Sequence, residues 1–325
     1  MHRQVQVDGA TLAGSLQPSV GGPVPGPVAL LVGGTFSDLR DGDPDPRVRP
    51  GVPPHRMYAR LADGLAAAGI ASFRFDRRGC GESSGACGEG RAREVADAAE
   101  VWRWLQAQPE CDGRVIAIGE SAGADVVCRL AAMGLQPDLA VLQGALHRSI
   151  EGLLRFNIGQ AERYVRSGAD AAAWVREHAP QIHADVQLWP TIETALKRGE
   201  AQARGRVDGA SVTRDLSRLA YDLTWPPAEQ FAHLHCPTLV VHGAEDMNVP
   251  IDDALDTVRT LWASGIRGVD LRIVAGANHS FQLVAADPVE RIRDRLTLRS
   301  FARPFHPAYP GIVVDHVDTG LRSTS

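Results

Sequence analysis

Val115-Ile-Ala-Ile-Gly119-Glu120-Ser121-Ala122-Gly123-Ala124 is the stretch that decides how this chain folds. Residues 115–118 are a short apolar run that suits a strand buried on both faces. From Ala122 apolar residues recur at helical spacing and stop at Gly134, a good helix end. A serine held at such a strand-to-helix turn is strained, with its hydroxyl exposed. Gly119 and Gly123 are needed because a side chain at either position would strike the neighbouring strand or helix. The helix start also aims free N–H groups and a positive dipole end at the serine. The GxSxG pattern is loose by itself; the strand before it and the helix after it give it weight.

Outward from this turn, short apolar runs alternate with longer amphipathic ones. Residues 28–32, 70–75, 139–142, 238–241 and 271–274 read as further strands, and 57–68 and 91–108 as helices. Strands alternating with helices predict a mostly parallel sheet covered on both faces. Residues 4–17 alternate enough to predict an antiparallel hairpin leading into that sheet. Between Gly144 and Pro237 no strand run appears, and helical segments are expected around 150–165, 171–178, 191–204 and 212–223. That gap is about ninety residues where a crossover needs about 10–20. It contains seven of the eighteen aromatic residues, Trp174, Trp189, Tyr221 and Trp225 among them. They are expected to form a small core of their own and in part to line a substrate pocket. The division expected is therefore a core of residues 1–144 and 236–325, with a helical cap or lid at 145–235. Residues 40–54 form a long Pro/Gly-rich loop after a strand, a place where binding loops occur. The tail from Arg303 has little periodicity and is expected to wrap the surface or stay mobile.

Composition narrows the function. The 325 residues carry a net charge of −5, with 44% hydrophobic and 22% charged residues. That is ordinary globular usage, and it excludes a disordered, coiled-coil or collagen-like chain. A mildly acidic balance argues against a nucleic-acid partner. No apolar run approaches the roughly 18 residues of a membrane span, and residues 1–9 lack a signal pattern, so a cytoplasmic location is expected. Five scattered cysteines without CxxC spacing suggest neither a disulfide framework nor a zinc site. His233 and His235 beside Cys236 read as loop residues. Gly79-Cys-Gly81 lacks the third glycine of a dinucleotide loop and opens no helix. No metal or cofactor is expected.

A serine hydroxyl needs a base. On such a sheet the partners come from later strand ends, in the order serine, acid, histidine. Asp246 follows the 238–241 strand and His279 follows the 271–274 strand. His279 is the candidate base and Asp246 the carboxylate that orients it; Glu245 is the competitor for the acid. An oxyanion hole needs two backbone N–H donors. Ala122, directly after the nucleophile, supplies one, and Thr35 in the Gly33-Gly34-Thr35-Phe36 loop is the candidate for the other.

On these residues the chain resembles an α/β-hydrolase-fold serine hydrolase over roughly residues 28–300. Phe75-Asp-Arg-Arg-Gly-Cys-Gly-Glu-Ser-Ser84 is similar to the DxRGxGxS segment of that superfamily. Gly33-Gly34, His55-Arg56 and the stretch to Gly85 resemble bacterial serine-aminopeptidase-like and exosortase-associated hydrolases. Many relatives have His-Gly in the oxyanion loop and His or Asp before the serine, where this chain has Gly33-Gly34 and Glu120. The expected activity is cofactor-free cleavage of a small-molecule ester or thioester through an acyl-enzyme on Ser121. The same acyl-enzyme could serve an acyltransferase or cyclase, and the fold also occurs in non-catalytic ligand-binding proteins. The oligomeric state, including a homo-oligomer, stays open.

Overall fold

The computed structural model describes residues 1–323. An eight-stranded sheet forms its centre: β1 (His2–Val7), β2 (Ala10–Gln17), β3 (Gly26–Val32), β4 (Ala71–Phe75), β5 (Cys111–Glu120), β6 (Leu139–Gln143), then, after the insertion, β9 (Thr238–Gly243) and β10 (Val269–Val274). Their order across the sheet is β1-β2-β4-β3-β5-β6-β9-β10. The predicted N-terminal hairpin is present: β1 and β2 pair antiparallel, and β2 pairs antiparallel with β4. From β4 to β10 every pairing is parallel.

Alternation along β3 shows how the sheet is buried on both sides. Val28, Leu30 and Val32 join one apolar cluster, with α2 (Arg91–Gln106) and α3 (Ala122–Ala132). Ala29 and Leu31 join the other, with α1 (Met57–Ala67). All seven residues of β3 are buried, as a parallel strand with helices on both faces requires.

The chain leaves the sheet at the end of β6 and returns at β9, the strand beside it. Between them lie α4 (Ile150–Val165), α5 (Ala169–His178), α6 (Pro180–Lys197), β7 (Gln202–Val207), β8 (Ala210–Asp215), α7 (Ala220–Thr224) and α8 (Pro227–Gln230). Helices predominate, but the expectation that no strand occurs here is corrected: β7 and β8 form an antiparallel two-stranded ribbon. Its turn is Asp208-Gly209, with φ of 47° and 84°. An Asp-Gly pair with both residues at positive φ favours a hairpin whose twist suits its strands. The helix expected around 191–204 therefore ends at Lys197, and the one around 212–223 is a strand end followed by a short helix. The ribbon lies on α6, where Leu188, Ile192, Leu196, Ala203 and Leu216 form a separate small core.

After β9 come α9 (Ile251–Ala263), then β10, α10 (Pro288–Thr297) and α11 (Gly311–Ser323). α11 corrects the expected wrapping or mobile tail. Val313 and Val317, four apart, are fully buried in the cluster under β3 and α1. Residues 324–325 of that tail lie outside the described residues.

Candidate active site

The turn at Ser121 has the strain its sequence predicts. Ser121 sits at φ 52° and ψ −116°, between the end of β5 and the first residue of α3. The crossing of strand and helix is tight: a Cβ on Gly123 would stand 2.1 Å from the Val32 carbonyl oxygen, and one on Gly119 2.5 Å from that of Gly123. Neither position has room for any side chain. The Ser121 N–H donates to Gln143 O at the end of β6 (2.7 Å), which pins the turn to the sheet.

Asp246 and His279 stand past the ends of β9 and β10, as expected. His279 Nδ1 and Asp246 Oδ2 are 2.6 Å apart, and both side chains are almost wholly buried. Asp246 Oδ1 accepts from the N–H groups of Asn248 (2.7 Å) and Val249 (2.9 Å). Burial opposes the ionised Asp246 carboxylate, but the charge and hydrogen bond of His279 outweigh it, so its pKa lies below the usual range. Burial likewise opposes protonation of His279. The Asp246 charge and hydrogen bond overcome it, Glu120 adds to them, and the ring's pKa lies above its ordinary value. The His279 ring lies against Gly144, next to the Gln143 that anchors Ser121. Among the described residues Ser121 Oγ has no hydrogen-bond partner; resting sites often close this contact only with substrate bound. Glu245 turns elsewhere and accepts from Gly276 N–H at 2.8 Å.

The loop after β3 is held by side chains that the sequence reading passed over. Glu120 Oε2 accepts from Gly34 N–H (2.8 Å) and Ser37 Oγ (3.2 Å). Arg77 Nη2 donates to Gly33 O (2.9 Å) and Gly34 O (2.6 Å), and Arg49 Nη2 donates to Thr35 O (2.8 Å). Tyr58 Oη donates to Val32 O at 2.7 Å. The carbonyls of residues 32–35 are thus all engaged. Among the described residues the Thr35 N–H has no partner, and Thr35 lines one cavity with Ser121 and Ala122. Ala122 N–H, at the first position of α3, is one of the donors a helix start leaves free.

That cavity, of about 80 Å³, has two unlike walls. Leu146, Ile150, Leu153 and Pro227 of the insertion give an aliphatic side, with Val249. The expectation that the insertion's aromatics line this pocket is corrected: none borders it. Tyr221 and Trp225 instead stack on the Arg129 guanidinium, at 4.3 and 5.1 Å from its carbon, tying the insertion to α3. Tyr164 and Trp174 lie over Arg293 of α10. The other wall is charged, formed by Arg91, Asp125, Arg129 and Asp222. Asp125 and Arg129 are four apart on α3 and hydrogen-bonded at 2.9 Å, a spacing visible in sequence.

A family model described as X-Pro dipeptidyl-peptidase (S15 family) matches residues 23–280. Among solved structures the chain is similar to Est1E from Butyrivibrio proteoclasticus bound to ferulic acid, at 14% identity and TM-score 0.55, covering 93% of this chain and 98% of that one. It is similar to the esterase PF2001 of Pyrococcus furiosus, at 14% identity and TM-score 0.56, covering 99% and 90%. It also resembles the α/β hydrolase GrgF from Penicillium sp. sh18, at 19% identity and TM-score 0.56, covering 93% and 99%. No curated protein matches by sequence. The fold is that of the α/β hydrolases, and the chain is a hydrolase of that class. Among the described residues no helix is long and apolar enough to cross a membrane.

Proposed function

The chain belongs to the X-Pro dipeptidyl-peptidase (S15) family, and from that footing we propose that it is a serine hydrolase forming an acyl-enzyme on Ser121 from an ester or thioester. The observation that carries this reading is the 2.6 Å His279–Asp246 contact at successive strand ends, beside a strained Ser121. Ser121 Oγ attacks the acyl carbonyl as His279 Nε2 takes its proton. Asp246 holds Nδ1–H and stabilises the imidazolium that forms. Thr35 and Ala122 N–H groups receive the oxyanion, and His279 then returns its proton to the leaving alcohol or thiol. Water, activated by the same ring, releases the acid and frees Ser121. Residues 145–235 act as the cap over this site. Capture of the acyl group by an alcohol or amine instead of water would make the protein an acyltransferase or cyclase.

The family's description supplies a second reading, cleavage of an amide after proline. One assay separates the readings: labelling by a fluorophosphonate probe, followed by turnover of matched p-nitrophenyl esters, thioesters and X-Pro-p-nitroanilides. Wild type should label, Ser121→Ala should not, and esters or thioesters should turn over fastest. Equal labelling of the two proteins would overturn the serine mechanism. Preference for the anilides would move the substrate to peptides.

A further inference from the structure

The cavity at Ser121 is small, with a volume of about 80 Å³. A second chamber of about 290 Å³ adjoins it, and Thr35, Arg91 and Asp222 line both. That chamber lies between the loop after β3 and residues 75–98, and the insertion borders it at Leu219 and Asp222. His279 does not border it but faces a different cavity. A leaving group must depart beside the histidine that protonates it. A carbonyl seated on Thr35 N–H would therefore send its acyl side, and not its leaving group, toward Arg91 and Asp222.

The junction has a definite chemistry. Arg91 donates to Glu94, and its Nε stands 3.6 Å from Asp222 Oδ1 and 3.7 Å from Asp125 Oδ2, beyond hydrogen-bond reach. Arg91 Nε, Arg129 Nη1, Asp125 Oδ1 and Asp222 Oδ1 are all buried without a hydrogen bond. Arg129 shows only 2% of its side chain to solvent. Two guanidinium donors thus face two carboxylate acceptors, and the four formal charges cancel. A net charge on a ligand gains little here, whereas an alkyl chain would leave these four atoms without a hydrogen bond. A neutral group that both donates and accepts fits.

We propose that the acyl part of the substrate runs from Ser121 past Arg91 and Asp222 into the 290 Å³ chamber, carrying an amide or hydroxyl at that junction. This inference rests on the Ser121 acyl-enzyme reading. The test uses the intact protein and four p-nitrophenyl esters of similar length: heptanoate, 4-acetamidobutanoate, 6-aminohexanoate and the adipate monoester. Each kcat/KM is divided by that for p-nitrophenyl acetate in the same protein, so the ratio does not depend on how much enzyme is folded. The acetamido ester should exceed the heptanoate at least tenfold, with both charged esters below it. Arg91→Met should bring the two neutral esters within about twofold of each other. Ala86→Trp, a larger side chain at a residue that lines the chamber away from Arg91 and Asp222 in sequence, should lower the acetamido-to-acetate ratio without altering the junction. A heptanoate ratio equal to or above the acetamido one, preference for a charged ester, or ratios unmoved in both variants would overturn the proposal. Equal acetate hydrolysis by wild type and Ser121→Ala would instead remove the acyl-enzyme reading beneath it.

Discussion

The sheet and the 145–235 insertion are built to different standards. Every residue of β3, β6 and β9 is buried. In α4 only Ile158 and Ala161 of sixteen residues are, and α7 buries none. Every group proposed for bond-making stands on the first region: Ser121 at the end of β5, Asp246 past β9, His279 past β10, and Thr35 past β3. The insertion contributes mainly aliphatic contacts, and aromatics that grip Arg129 and Arg293. Close packing suits a constellation that must hold its geometry to a fraction of an ångström. A thinly packed segment can open or change shape at small cost in free energy.

That contrast can be broken by experiment. On the rigid side, Asp246→Asn should cut turnover about 10⁴-fold while substrate binding survives; an unchanged kcat would return the acid role to Glu245. Arg77→Met acts one step away from the chemistry. It should lower kcat by roughly ten- to a hundredfold, less than deleting an oxyanion donor outright, with KM nearly constant and the melting temperature preserved. A rise in KM with normal kcat would mean that Arg77 binds substrate and does not position Thr35.

The same Leu→Ala change then compares the two regions directly. Leu30→Ala and Leu188→Ala each remove a side chain at most 2% exposed, and each should cost about 2–5 kcal/mol. In β3 the cost should appear as a lower global midpoint in denaturant. In α6 it should appear as faster proteolysis within residues 180–215, with p-nitrophenyl acetate turnover near wild type. Identical global unfolding for both would show that the insertion and sheet are one cooperative unit.

The smallest effect concerns pH. His279 must be neutral to accept a proton, and its pKa is raised, so kcat/KM should climb through a midpoint above 6.5. Asp246→Asn should lower that midpoint in the residual activity. In stability the sign is reversed. The stabilising contribution from protonated His279 is fully present below pH 6.5 and is lost as pH rises through the raised value.

The sheet and the Ser121, Asp246 and His279 positions were legible because local pattern decides them. Apolar runs mark buried strands, and each of these residues follows one. The α4 helix was legible for the same reason, at 150–165. The β7–β8 ribbon escaped because neither strand is a continuous apolar run; Arg204 and Arg206 alternate with Ala203, Gly205 and Val207, Arg214 breaks the apolar face of β8, and only Asp208-Gly209 signalled a turn. The α11 helix was hidden behind a run of prolines, although Val313 and Val317 stand one helical turn apart. The loop clamps could not be read at all. Gly34 and Glu120 are 86 positions apart, and Gly34 and Arg77 are 43 apart, so their meeting depends on the finished sheet.

The α11 helix has a consequence for synthesis. It seals the face of the sheet where Leu139, Val141 and Leu239 lie, yet it is made after β10 and α10. While the chain grows, that face has α1 but lacks its last cover, so an assembled parallel sheet waits with apolar surface open to water. Such surface is a contact for chaperones or for another nascent copy. A stall after residue 303 would leave Ser121, Asp246 and His279 all translated on a chain still prone to aggregate.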